Sequence, residues 1–153
     1  MNVGDQVSDF ELTDENGQRR SLSTMLGSGP VVLFFYPIAS SGGCTQEACH
    51  FRDLAADFAT VGAQPVGISP DSVDKQRKFA SEQSLGFPLL SDEGGAVAKE
   101  LGAWRRLIPI HTKRLTFIIG EDRRIMEIIK GEMQFDRHAD EALRILKEHR
   151  AAA

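Results

Sequence analysis

The chain has little of what many functions require. Its 153 residues include two cysteines, one tryptophan and one tyrosine, and 18 Lys and Arg stand against 22 Asp and Glu. A net charge of −4 and a pI near 5.6 argue against a nucleic-acid surface, and the local pairs Arg105-Arg106 and Arg123-Arg124 read as solvated surface. No apolar run approaches the roughly 20 residues of a membrane helix. The opening MNVGDQVSDF lacks a basic-then-apolar signal pattern. A cytoplasmic protein that engages neither membrane nor nucleic acid is expected. No repeat, linker or low-complexity tract appears, and the 41% hydrophobic and 26% charged content predicts one globular domain over residues 1–153.

The scarcity of cysteine also limits the chemistry. A structural zinc site needs four Cys or His ligands in paired short spacings. Two Cys and four His, with only His50 beside a cysteine, do not supply that pattern, so no metal is expected. A phosphatase loop needs Arg six residues after its nucleophile, and His50 stands there. A thioredoxin-like dithiol uses C-x-x-C, whereas four residues separate Cys44 from Cys49; that reading is weakened and stays open. Two cysteines in a cytosolic chain are more often catalytic or redox-active than structural.

Both cysteines fall in residues 31–53, VVLFFYPIASSGGCTQEACHFRD, where local character changes most sharply. The run 31–36 is apolar and β-branched, as in a strand buried on both faces, and Pro37 ends it by removing a backbone donor. Residues 40–43, Ser-Ser-Gly-Gly, read as a loop. From Cys44 onward Ala48, Phe51, Leu54, Ala55 and Phe58 recur at helical spacing between polar residues. Cys44 thus belongs at or near a helix N-terminus, where unpaired amides and the macrodipole favour an anion and a thiolate is the reactive form. The competing reading is a small buried hydrophobe, as most free cysteines are.

Elsewhere, residues 10–13 and 20–22 flank Asp14-Glu15-Asn16-Gly17, which predicts an N-terminal hairpin. Strands are expected at 64–69 and 87–90, and helices at 73–85, after Pro70-Asp71-Ser72, and at 96–101, ended by Gly102. A strand pair at 115–119 and 124–129 and a helix at 135–148, with Ala139, Leu143 and Leu146 inward, complete an α/β sandwich. Residues 151–153 read as a frayed end.

The stretch Pro37-x-x-x-Ser41-x-x-Cys44 resembles the peroxiredoxin signature P-x-x-x-(T/S)-x-x-C. YPIASSGGCTQEACHFRD is similar, more narrowly, to the bacterioferritin-comigratory or Q-type subgroup. Further blocks match in order: Val3-Gly4-Asp5, Asp9-Phe10-Glu11-Leu12, Ser69-Pro70-Asp71-Ser72, Phe87 to Asp92 (FPLLSD), and Arg114-Leu115-Thr116-Phe117. Ser41 stands where Thr is commoner, which keeps the hydroxyl. Gly42 stands where the family usually has Pro, which loosens the loop.

The resemblance implies a thioredoxin-like fold, a central mixed sheet flanked by helices with the N-terminal hairpin as an extension. It implies a thiol peroxidase that reduces hydrogen peroxide and organic hydroperoxides, with no cofactor, a thioredoxin or similar dithiol as reductant, and a monomeric state. It makes Cys44 the peroxidatic nucleophile, oxidised to a sulfenic acid, and Cys49 the resolving thiol of an intramolecular disulfide. Ser41 would aim its hydroxyl at the thiolate or the peroxide, its ordinary alternative being an N-cap. Arg114 would hold the peroxide with donors of fixed geometry, Pro37 would shield the site, Glu47 would orient the arginine and Thr45 would add a capping hydroxyl. Lys113 raises a register question that Thr116-Phe117 decides for Arg114. On a continuous helix, residues five apart lie roughly 8.7 Å apart between Cα atoms, beyond the about 7 Å limit for a disulfide. Joining Cys44 to Cys49 therefore requires unwinding, which Gly42-Gly43 would ease. A general disulfide oxidoreductase and a peroxide-sensing switch are the alternatives. The basic and apolar segment 104–111, WRRLIPIH, fits no assigned role, and no chemistry is assigned to Trp104 or His111.

Overall fold

A computed structural model describes residues 1–107 and 111–152. In chain order it contains β1 (Glu11–Thr13), β2 (Arg19–Ser21), α1 (Leu22–Leu26), β3 (Val31–Phe35), α2 (Gly42–Asp53), α3 (Ala55–Thr60), β4 (Gln64–Ser69), α4 (Val73–Gln83), β5 (Leu89–Ser91), α5 (Ala96–Leu101), β6 (Leu115–Ile119), β7 (Ile125–Lys130) and α6 (Arg137–Ala152). The strands form one sheet in the order β2-β1-β5-β4-β3-β6-β7. Strands β3, β4 and β5 run parallel, while β6 and β7 on one side and the β1–β2 hairpin on the other pair antiparallel. The expected mixed sheet with its hairpin extension is therefore present.

The strand β3 lies inside the sheet between β4 and β6, and all five of its residues are buried. Alternation splits its side chains between two cores. Val32 and Phe34, with Tyr36 beyond the strand, face Ala48 and Phe51 of α2, Phe79 of α4 and Ala139, Ala142 and Leu143 of α6. Val31, Leu33 and Phe35 face α1 and α5 on the opposite side. Phe34 stacks on Phe51 with ring centroids 4.2 Å apart, fixing α2 on the sheet.

The structure differs from the sequence expectations at several places. Gly42 and Gly43 are not loop but the first helical residues, because Ser41 is the N-cap. The helix does not run on through Phe58; it breaks at Leu54 (φ −98, ψ 8) into α2 and α3. α1 was not expected at all; its signal is Ser21, whose hydroxyl caps the Thr24 amide. β5 sits at Leu89–Ser91, two residues into the expected 87–90 and one beyond it. The hairpin forms, but not through a two-residue Asn-Gly turn, which needs positive φ at both positions; Gly17 has φ 79, and Asn16 is not among the residues with positive φ. Buried Asp14 instead organises the loop by accepting from the amides of Asn16 and Gln18 and from Arg20. Among the described residues no helix is long and apolar enough to cross a membrane.

Candidate active site

The turn between β3 and α2 places the first cysteine. Tyr36 N–H still donates to Ile68 O at 3.1 Å, and Pro37 then ends the ladder. Ala39 N–H donates to Asp71 Oδ2 at 2.7 Å, and Ser40 reverses the chain with φ 65. Ser41, in extended conformation, caps α2: its Oγ accepts from Cys44 N–H at 3.4 Å and donates to Ile38 O at 3.0 Å. Cys44 is the third helical residue and is 1% exposed.

Arg114, immediately before β6, meets this thiol from the sheet. Its Nη2 donates to Cys44 Sγ at 3.3 Å, its Nη1 to Glu47 Oε1 at 2.7 Å and its Nε to Glu132 O at 3.0 Å. Its guanidinium lies 4.7 Å from the centroid of the Phe135 ring, and its backbone N–H donates to Glu132 Oε1. Three side-chain donors and one face are committed, so the fork is fixed in one orientation. Burial works against this charge, but Glu47 and Cys44 outweigh it and hold the guanidinium above its ordinary value.

Glu47 lies one turn along α2 from Cys44 and is fully buried, unlike the solvated glutamate that a helix surface usually carries. Among the described residues its Oε2 has no hydrogen-bond partner. Burial pushes its carboxyl up to about 8, against the opposing pull of Arg114. A carboxyl held there is mostly protonated at neutral pH, so its contact with Arg114 is a charge-assisted hydrogen bond.

His138, in the first turn of α6, lies behind Glu47 and is also fully buried. Its Nε2 lies 2.8 Å from Gly131 O, which can only accept, so Nε2 carries the hydrogen. Its Nδ1 lies 2.7 Å from Thr116 Oγ1 and 3.7 Å from Glu47 Oε2. Burial keeps this imidazole below its usual range.

The structure brings Cys44, Ser41, Glu47 and Arg114 together. Ser41 takes the N-cap geometry, its proton directed to Ile38 O. The side-chain cap of α2 is Ser41's, whereas Thr45 contributes its backbone N–H to Ser41 O at 2.8 Å. Pro37 is half-buried at the end of β3. Cys49 is half-buried on the same continuous helix as Cys44, its thiol donating to Gln83 Oε1 at 3.4 Å. Both cysteines are free thiols.

Sequence reasoning missed His138, Phe135 and Glu132. His138 had a readable signal, a polar residue beside the inward stripe of Ala139, Leu143 and Leu146. Part of the unexplained 104–111 segment gains a role. Trp104 stacks on His111 with centroids 4.6 Å apart, and Arg105 pairs with the Glu132 carboxylate that also holds Arg114 N–H. Residues 108–110 lie outside the described residues. Among the described residues no three His, Cys, Asp or Glu side chains group as metal ligands would.

Comparison with known proteins agrees with this geometry. The AhpC/TSA family profile matches residues 3–128. A Mycobacterium tuberculosis protein that carries the peroxiredoxin name is 52% identical over 155 residues, covering 99% of each chain. Chloroplastic peroxiredoxin Q of Populus jackii is 37% identical over 147 residues, covering 96% of this chain and 68% of that one. The crystal structure of peroxidoxin BcpB from Mycobacterium tuberculosis superposes with a TM-score of 0.92 at 52% identity, covering 97% of each chain. A cysteine-to-serine variant of Xylella fastidiosa peroxiredoxin Q superposes at 0.89 with 29% identity, again over 97% of each. With a thioredoxin-like sheet, a buried thiol under a fixed guanidinium and relatives of this kind over its full length, the chain belongs to the AhpC/TSA family as a peroxiredoxin, an enzyme that reduces peroxides with a cysteine thiol.

Proposed function

We propose that Cys44 is the peroxide-reactive thiol and Cys49 the thiol that resolves it. The observation that supports this most is Arg114 Nη2 at 3.3 Å from Cys44 Sγ, with the sulfur in the first turn of α2. The thiolate attacks the terminal peroxide oxygen, the O–O bond breaks, and the S–OH product keeps the peroxide hydrogen. The departing alkoxide or hydroxide takes one proton from solvent. Arg114 meets the growing charge on that oxygen with donors already aligned. Ser41 can turn its hydroxyl from Ile38 O toward the bound peroxide, Pro37 shields the thiol, Glu47 orients Arg114, and Thr45 supports the helix start.

Cys49 then attacks the sulfenic sulfur, forming a disulfide and releasing water. Both cysteines lie on α2, so by helix geometry their Cα atoms are roughly 8.7 Å apart, and the turns around Gly42 and Gly43 must unwind for the bond to close. A thioredoxin-like dithiol returns the pair to thiols. The protein works as a monomer made of one domain, in the cytoplasm, where such reductants are present.

The test mixes fully reduced protein with one equivalent of hydrogen peroxide, quenches within about a second and reads intact mass and free thiols. Rapid internal disulfide formation is expected in the natural sequence. Cys49→Ser should instead trap a sulfenic acid and stall, and Cys44→Ser should not react. Thiols that survive many equivalents of peroxide, or a Cys49→Ser variant that keeps turning over with thioredoxin, would overturn the assignment.

A further inference from the structure

The block Ser69-Pro70-Asp71-Ser72 has no part in the chemistry above, yet Asp71 reaches the turn that carries Ser41. Its Oδ2 accepts from Ala39 N–H at 2.7 Å. Among the described residues this is the one hydrogen bond that ties residues 37–41 to any element other than α2. The Ala39 N–H belongs to the same peptide group as Ile38 C=O, and Ile38 O accepts from the Ser41 hydroxyl at 3.0 Å. A trans peptide points its N–H and its C=O to opposite sides, and no cis bond occurs among the described residues. The carboxylate on one side of this plane therefore aims the carbonyl on the other side at Ser41 Oγ. That oxygen in turn accepts from Cys44 N–H at 3.4 Å.

The carboxylate is itself held. Oδ2 also accepts from Ser69 Oγ at 2.7 Å, and Ser69 Oγ accepts from Gln76 Nε2 of α4 at 2.9 Å. Gln76 Nε2 donates further to Leu90 O at 2.9 Å, and Gln76 Oε1 accepts from the Tyr36 hydroxyl. Tyr36, Ser69 and Gln76 are all buried, so this is a satisfied internal network of the kind that fixes its members in one arrangement. Tyr36 precedes Pro37 and Ala39 follows Ile38, so both ends of the turn hang on the same network. The next residue, Ser40, has φ 65, a conformation uncommon for serine.

We propose that Asp71 is a positioning residue for the peroxidase reaction, acting through the 38–39 peptide to hold the Ser41 hydroxyl beside the thiol. With that peptide fixed, Ser41 Oγ is gripped from two directions, by Ile38 O and by Cys44 N–H. The oxygen then stays in place, and only its hydrogen has to turn from Ile38 O to the peroxide. Without the carboxylate the 38–39 plane is free to rotate, Ile38 O leaves Ser41, and the side chain must find its position again at each encounter. Asp71 touches neither peroxide nor sulfur in this arrangement, and no proton or charge moves through it.

This rests on Cys44 being the reactive thiol and on Ser41 meeting the peroxide. The test measures the rate of Cys44 oxidation by hydrogen peroxide for the natural sequence, Asp71→Ala, Ser41→Ala and the double variant. Beside it runs alkylation of Cys44 by iodoacetamide, which needs the thiolate but no serine hydroxyl; peptide mapping reads both reactions at Cys44. Asp71→Ala is expected to slow oxidation about fivefold, the scale of one lost hydrogen bond, and to change alkylation by less than about twofold. In the Ser41→Ala background the same replacement should alter oxidation by less than about twofold, since residues acting through one another do not add. Asp71→Asn keeps an acceptor for Ala39 N–H and should bring oxidation back to within about twofold of the natural rate. Natural oxidation in Asp71→Ala, an equal loss of oxidation and alkylation, or effects that multiply in the double variant would overturn the proposal. If Asp71→Ala does not fold, Asp71→Ser, whose oxygen stands one bond short of Ala39, takes its place with the same outcomes. A Ser41→Ala protein with the natural rate would overturn the role of Ser41 and this proposal together, whereas a slow Ser41→Ala beside a natural Asp71→Ala would overturn this proposal alone.

Discussion

Replacing Gly42 by proline should slow closure of the Cys44–Cys49 disulfide while leaving the oxidation of Cys44 alone. Gly42 is the first residue of α2 after the Ser41 cap, the one helical position that favours proline, because its amide has no intrahelical acceptor. Ser41 already has φ −74 and ψ 159, the extended conformation that a following proline imposes. A Cβ at position 42 meets nothing within 4 Å. The folded helix therefore accepts the ring without strain, and the effect falls on the unwound segment, which loses conformational freedom. A compatible substitution by proline is worth about 0.4–1 kcal/mol. If unwinding precedes closure as a fast equilibrium, the disulfide rate falls by the same factor, roughly two- to fivefold. Rapid quench with thiol labelling separates the two steps, because loss of the first thiol reports oxidation and loss of the second reports closure. Amide exchange in α2 gives the unwinding equilibrium independently. A variant whose α2 amides are better protected, yet whose disulfide closes at the natural rate, would refute the claim that closure waits on unwinding.

Arg114→Lys replaces a fork making three side-chain contacts with a point charge. Losing one charged hydrogen bond of about 1.5–3 kcal/mol should lower the peroxide rate roughly ten- to a hundredfold, read by competition against a peroxidase of known rate. Glu47 makes stability fall with rising pH. Its folded-state value of about 8 stands above the unfolded 4.5, so the folded chain keeps a proton that the unfolded chain gives up. Near pH 6.5 the unfolded imidazole is still partly protonated, so the lowered His138 opposes this trend; from about pH 7.5 to 8 it is almost neutral in both states and the Glu47 trend is left alone. Denaturant unfolding across that window should show a decline that Glu47→Gln reduces, and an unchanged slope would count against a protonated Glu47. At Gly43 a Cβ would lie 2.5 Å from the Phe135 ring. Gly43→Ala should raise amide protection in α2 while displacing Phe135 from Arg114, lowering the peroxide rate by roughly threefold, the scale of an exposed cation–π contact.

The sequence was most legible where periodicity and a local breaker coincide. β4 occupies the expected 64–69, and α5 the expected 96–101 with Gly102 at φ 82. Both elements are bounded by residues whose backbone preferences act within a turn. The start of α2 was less legible, because two glycines in succession read as loop and their helical state depends on the Ser41 cap and on Phe135 packed against Gly43. Position 135 lies 92 residues away in the chain, counting from 43, and local pattern carries no information about it. The cysteine and serine were found because the motif spaces them, and the arginine because it opens the matching block Arg114-Leu115-Thr116-Phe117. Burial of Glu47 was not legible, since it depends on Arg114 and His138 closing over one face of α2.

If α2 unwinds to close the proposed Cys44–Cys49 disulfide, the break at Leu54 and the stack of Phe51 between Phe34 and Phe58 determine how it returns. The last turn of the helix is anchored to the sheet by Phe51, and Arg52 donates to Gln83 O at 2.7 Å. Residues ahead of Cys49 can therefore open while a formed helical turn remains behind them. Starting a helix is costly because several residues are fixed for one hydrogen bond, whereas extending an existing one adds a bond per residue. Re-formation of the site is then elongation from a retained seed, about a nanosecond per residue, with no nucleation step. On that reading, encounter with the reductant, rather than refolding, would set how long the oxidised enzyme stays out of service.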